Sequence, residues 1–166
     1  MIPAHPPEAA TVESSTPFSA VPPELRQRTQ WMAWWSVIGE GKRVMLPNGE
    51  LTSRPLAVRE KPHKLPINPR TGGLGASNRP RTWAELDVAV DAAERFGITG
   101  VGYVFDGRDG FGGIDLDNCR DPLTGVIAPE AMALIRLMDS YAEVSPSGTG
   151  VKIFFKGRLR RSCASD

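Results

Sequence analysis

The sequence predicts an α+β domain, a mainly antiparallel sheet with helices packed on it. Two observations carry this. From Thr82 onward, stripes of helical period alternate with pairs of short strands, in the order helix, hairpin, helix, hairpin. Each strand pair is joined by a turn rich in glycine. Helices segregated over antiparallel strands are the α+β arrangement. A chain of 166 residues with 40% hydrophobic content is long enough for one domain with a buried core.

The elements follow in order. Residues 1–23 carry six prolines among Ala, Ser, Thr and Glu, and this stretch is expected to be a disordered leader. Residues 24–157 form the expected domain, and residues 158–166 a basic and polar tail. Residues 30–37, rich in aromatics, suit a strand. Adjacent Trp34 and Trp35 must then point to opposite faces. Core packing is the reading preferred for this pair, with base stacking on the second face as the alternative. Residues 43–52 read as a hairpin around Asn48-Gly49. Residues 61–80, with four prolines and three glycines, read as a long irregular loop and a local basic cluster.

Thr82 and Glu85 have the spacing of a capping box, opening a helix with Trp83, Leu86, Val90 and Ala93 on one face, closed by Gly97. Residues 100–105 and 111–117 are expected to form an antiparallel hairpin about the turn 106–110. A second helix starts at Pro129 and buries Ala131, Leu134, Ile135 and Met138. Residues 141–145 and 151–155 make the last hairpin.

Composition excludes several classes. The net charge of +1 creates no global field for nucleic acid, so such binding would rest on local basic clusters. Cys119 and Cys163 are far apart, in no metal-ligand spacing, which argues against a disulfide scaffold or zinc ribbon. No apolar run reaches a membrane span and no secretory signal is evident, so a cytoplasmic protein without membrane partners is expected.

Three constellations carry chemistry. Asp115 and Asp117 stand two apart on an expected strand, so both side chains leave one face, roughly 6 to 7 Å apart at the backbone. Paired carboxylates repel unless a cation lies between them, and hard oxygen ligands suit Mg²⁺ or Mn²⁺. An ordinary acidic sheet face is the plain alternative. Ser147, Gly148, Thr149 and Gly150 form a hydroxyl- and glycine-rich turn followed by Lys152. Such a turn can approach phosphate closely and the lysine can meet a triphosphate, although the spacing is not that of a Walker loop. An ordinary hairpin turn would look the same. Lys64 and Arg70 belong to a rigid basic loop, by composition no more than a connector.

In combination and order these pieces resemble the primase-polymerase domain of phage, plasmid and integrated-element replication proteins, in the archaeo-eukaryotic primase superfamily. The likeness runs over residues 30–157, through Gln30-Trp31 with Trp34, residues 64–72, Thr82-Trp83, residues 102–105, 113–121 and 143–152. It implies a catalytic core of RNA-recognition-like topology that joins nucleoside triphosphates on a single-stranded DNA template. Asp115 and Asp117 match the family's metal-ligating first motif; Ser147 to Lys152 match the second, which handles the incoming phosphates. Lys64 and Arg70 could guide template or nucleotide. Lys152 stands where the family often has histidine, and lysine cannot serve as a near-neutral acid or base. The family's third acid is expected on a strand beyond Phe155, where this chain has a basic segment; a helicase domain usually follows in the same chain. The expectation is therefore a C-terminally truncated domain. Two alternatives remain: an inactive remnant that binds nucleotide or single-stranded nucleic acid, and a metal-dependent sugar-nucleotide transferase.

Overall fold

Two three-stranded antiparallel sheets, rather than one, make up the β structure of residues 18–157, the part of the chain that the computed structural model describes. Most of the expected leader, and the tail with Cys163, lie outside the described residues. The elements are α1 (Pro23–Arg26), β1 (Trp31–Val37), β2 (His63–Ile67), a short 3₁₀ turn (Pro80–Thr82), α2 (Leu86–Arg95), β3 (Gly100–Tyr103), β4 (Phe111–Leu116), α3 (Pro129–Met138), β5 (Ala142–Val144) and β6 (Val151–Lys156). Sheet one has the order β2-β1-β3 and sheet two β4-β6-β5. The α+β class holds.

Sheet one is sorted by strand alternation. Ala33 and Trp35 join Leu65 and Ile67 of β2 in a cluster with Ile98, Ala93 and Phe96. Trp31 joins Val101 and Tyr103 of β3 against Leu86 and Ala89 of α2. The helix thus covers this face. Met32, Trp34 and Ser36 occupy the other face, in register with Gly102, Gly100, Pro66 and Lys64. Trp34 and Trp35 diverge as alternation requires. Val21 and Leu25 are buried beside Trp31, whose indole N–H donates to the Leu25 carbonyl at 3.0 Å.

Sheet two is amphipathic in a different way. Ile153 and Val151 are buried on the face toward α3, whose apolar stripe, headed by buried Ala131, is the expected one. On the opposite face Phe111, Gly113 and Asp115 of β4 pair with Lys156, Phe154 and Lys152 of β6. Phe154 and Phe111 join the Trp31 cluster, so one end of this face closes onto sheet one and the other stays open.

Three local expectations are corrected. Strands 100–105 and 111–117 do not pair: β3 bonds to β1 and β4 to β6. Gly107 (φ +72°) and Gly110 (φ +78°) redirect the chain between them. The Asp109 carboxylate pins that link, accepting from Gln30 Nε2 at 3.0 Å, Tyr103 Oη at 2.5 Å and the Phe111 amide at 3.1 Å.

The capping box does not form either. The Thr82 hydroxyl engages Ala76 and Arg79 instead, Ala84 bridges to Trp31 at 2.9 Å in both directions, and α2 begins only at Leu86. The hairpin around Asn48-Gly49 does form: the Leu46 amide donates to the Glu50 carbonyl at 2.6 Å, the Thr52 amide to the Val44 carbonyl at 2.9 Å, and Met45 bridges Leu51 between them. The loop at 61–80 holds an edge strand, β2, which tolerates Pro66 because an edge leaves one side of its backbone unpaired.

Candidate functional site

Where the open faces of the two sheets approach, they enclose a cleft of about 480 Å³. One wall is Trp34, Gly102 and Lys64; the other is Gly113, Asp115, Lys152 and Glu143. The pairing that builds the second wall is fully specified by register. Asp115 of β4 stands opposite Lys152 of β6, and Lys152 stands opposite Glu143 of β5. The three side chains therefore form one cross-strand row, acid–base–acid. With strands about 4.8 Å apart, the two carboxylates leave the sheet roughly 10 Å apart with the ammonium between them. Lys152 Nζ lies 2.5 Å from Asp115 Oδ2, with side chains 34% and 52% exposed.

Glu143 is held from behind. Tyr141 Oη donates to Glu143 Oε2 at 3.1 Å. Burial, then the adjacent Glu143 charge and hydrogen bond, push the Tyr141 phenol up to about 12. The phenol therefore remains a donor throughout the neutral range.

Asp117 lies one residue past the end of β4 and is exposed, followed by Asn118 at φ +52°. Gly150 lets the phosphate-type turn pack against it: a Cβ there would lie 2.6 Å from the Leu116 carbonyl and 3.6 Å from Asp117 Cα. Within the turn, the hydroxyls of Ser145, Ser147 and Thr149 form a chain with 2.9 Å links, and the Gly150 amide donates to Ser145 Oγ at 3.0 Å. Arg120 clamps the turn to the segment after Asp117: its guanidinium donates to the Gly148 carbonyl at 2.7 Å and its amide to the Thr149 carbonyl at 2.9 Å. Backbone hydrogen bonds from Thr124 and Leu123 hold the exposed Asp121 carboxyl below its ordinary range, consistent with a well-formed turn.

Of the residues expected to act together, Asp115, Lys152 and Lys64 line the cleft; Asp117 and Ser147–Gly150 are not among its lining residues, to which that turn contributes Pro146 alone. Arg70 is not brought there. Its guanidinium donates to the Trp83 carbonyl at 2.5 Å and pairs with Glu85 at 2.6 Å, tying the basic loop to the start of α2. The sequence assigned no role to Glu143 or Arg120, and offered base stacking at the Trp34–Trp35 pair only as the alternative to core packing. The signal for Glu143 was present: once Val144 is opposite Val151 in the last hairpin, alternation puts Glu143 on the face of Lys152.

The donor set is one of hard oxygens, and Mg²⁺ is typically held by one or two carboxylates together with substrate phosphates. Asp115 and Asp117, next to a phosphate-type turn, fit that pattern. Among the described residues no three acidic, histidine or cysteine side chains converge into an all-protein cage. None of the described helices is long and apolar enough to cross a membrane.

No family model matches the chain. Over 101 residues, 61% of its length, it is 36% identical to the DNA primase-polymerase of Nitratiruptor phage NrS-1. The match spans 14% of that relative's length. The resemblance drawn from the motifs is thereby supported by a protein that bears that name.

Proposed function

We propose that this chain is the nucleotidyl-transfer part of a phage- or mobile-element-type DNA primase-polymerase, extending a 3′ end along a single-stranded DNA template with Mg²⁺ or Mn²⁺. The observation that carries the reading is the Asp115–Lys152–Glu143 row on one wall of a nucleotide-sized cleft. The similarity to a phage DNA primase-polymerase supports it.

Asp115 and Asp117 would hold the divalent ion, which when bound offsets the charge of the triphosphate and polarises its α-phosphorus. The Ser147 and Thr149 hydroxyls, with Lys152, bind and orient the phosphates. The 3′-hydroxyl oxygen attacks the α-phosphorus in line; a new P–O bond forms, the bond to the bridging α–β oxygen breaks, and pyrophosphate leaves. Glu143, hydrogen-bonded by Tyr141, is the second carboxylate lining the cleft, and we assign it the hydroxyl proton.

Primer extension on a labelled single-stranded template tests the reading, with Asp115→Ala as the control. Metal-dependent extension lost in the variant is the expected result. One observation favours a second reading, a domain that binds nucleotide without catalysis: the lysine that replaces a titratable histidine already bonds Asp115. Mn²⁺-dependent nucleotide binding without extension would select it. Binding that is unchanged in Asp115→Ala would overturn both.

A further inference from the structure

The wall of the cleft opposite the carboxylate row has no assigned ligand. It is built around Trp34. The β3 residues facing this indole are both glycines, Gly100 and Gly102. A Cβ at Gly100 would come 3.1 Å from Nε1 and 3.2 Å from Cε2 and Cζ2 of Trp34, and one at Gly102 would lie 3.9 Å from Cδ1. The ring therefore lies across bare strand backbone, in space that any other residue at position 100 would take. Trp35, one position along, packs against the Ala33–Ile67 cluster, whereas Trp34, likewise half-buried, lines the cleft. Lys64 Nζ stands 5.4 Å from the Trp34 ring centroid.

We propose that Trp34 is the platform on which the base of a bound nucleoside triphosphate stacks, its phosphates pointing along the cleft to Lys152 and the Ser147–Gly150 turn. This rests on the nucleotide-binding reading above and extends it to the base. Polarity agrees: aromatic and glycine surface lines one wall and the charged row the other, within a volume typical of small-ligand sites. The lining also sets selectivity. It contains no Asn, Gln, Ser or Thr side chain to read a base edge, and its Tyr103 hydroxyl is already committed to Asp109. Stacking on the indole, where a base takes the place of the flexible Lys64 ammonium, accepts every base, since each has a π-face. The site holds a nucleotide without choosing among the four, and choice is left to a template.

The test compares wild type, Trp34→Leu and Trp34→Phe for Mn²⁺-dependent binding of the four deoxynucleoside triphosphates, inorganic triphosphate and oligo-dT, by calorimetry. Leucine keeps apolar bulk and so guards against misfolding, which a melting curve checks. The expected result is a loss of about tenfold or more for all four nucleotides in Trp34→Leu, with near-wild-type binding in Trp34→Phe. Inorganic triphosphate affinity stays the same, and wild type binds the four nucleotides within a few-fold of one another. Equal weakening of inorganic triphosphate, or undiminished nucleotide binding in Trp34→Leu, would overturn the proposal. Weakening of oligo-dT alone would also overturn it, placing a strand base at Trp34 instead. Failure of the underlying functional reading shows separately, as inorganic triphosphate binding that neither needs Mn²⁺ nor responds to Asp115→Asn.

Discussion

Replacing Lys152 by methionine isolates the most unusual contact in the site. In the native chain its ammonium lies 2.5 Å from Asp115 Oδ2 and stands in register between Asp115 and Glu143. Any divalent ion held by Asp115 must share that space with a positive charge. With two opposing effects in play, magnitudes decide. As an ion pair the contact is half-exposed, so its loss costs stability only about 0.2 to 1 kcal/mol.

Repulsion between a unit charge and a divalent ion roughly 5 Å apart in water-like dielectric is about 1.7 kcal/mol, and salt screening reduces it to about 1 kcal/mol. That corresponds to about fivefold in Kd. Lys152→Met is therefore expected to bind Mn²⁺ about fivefold more tightly without nucleotide, and to melt within a few degrees of wild type. Calorimetric or electron-paramagnetic-resonance titration of Mn²⁺ reads the first, and a thermal scan the second. Raising the salt concentration should narrow the gap between the two proteins. Unchanged or weakened Mn²⁺ binding in a folded Lys152→Met protein would refute the reasoning, because the lysine would then not compete for Asp115.

Three other perturbations follow from contacts elsewhere. Asp109→Ala strips partners from the Gln30 amide and the Tyr103 hydroxyl, and is expected to cost about 2 kcal/mol, lowering Tm by about 5 °C in a thermal melt. Arg120→Ala releases the Gly148 carbonyl and loosens the phosphate-type turn; inorganic triphosphate should bind about three- to tenfold more weakly while the melting temperature moves little. Tyr141 has its folded-state value raised from 10.0 to about 12, so the folded form holds its proton more tightly than the unfolded form. Its contribution is complete below pH 10 and disappears as pH rises toward 12. Denaturant unfolding of Tyr141→Phe should show a shallower alkaline loss than wild type, with the half-buried Tyr103, also raised, accounting for part of the remainder.

What could be read from the sequence was local, and what could not be read was pairing. The Trp31–Val37 strand, the divergence of Trp34 and Trp35, α3 with its stripe, and the last hairpin all follow from periodicity and turn chemistry within short windows. The separation into two sheets does not. Whether β3 bonds to β4 or to β1 depends on Asp109 and Gln30, 79 residues apart, meeting across the fold. The capping box failed for a similar reason: Thr82 found loop carbonyls and Ala84 found Trp31, so tertiary bonds outbid a local motif. At the site, the Asp115 and Lys152 roles were visible as motifs. Their direct contact, and the arrival of Glu143 beside them, required the β4–β6–β5 register.

The two walls of the cleft come from different sheets, and this makes their mutational landscapes separable. Every charged group of the row sits on β4, β5 or β6, whereas the indole and its glycine bed belong to β1 and β3. Changes at positions 34, 100 or 102 can reshape what enters without disturbing the Asp115–Lys152–Glu143 register. Changes at 115, 143 or 152 can alter the reactivity of whatever is held. A combinatorial library over both trios should show near-additive effects between the walls and strong epistasis within each.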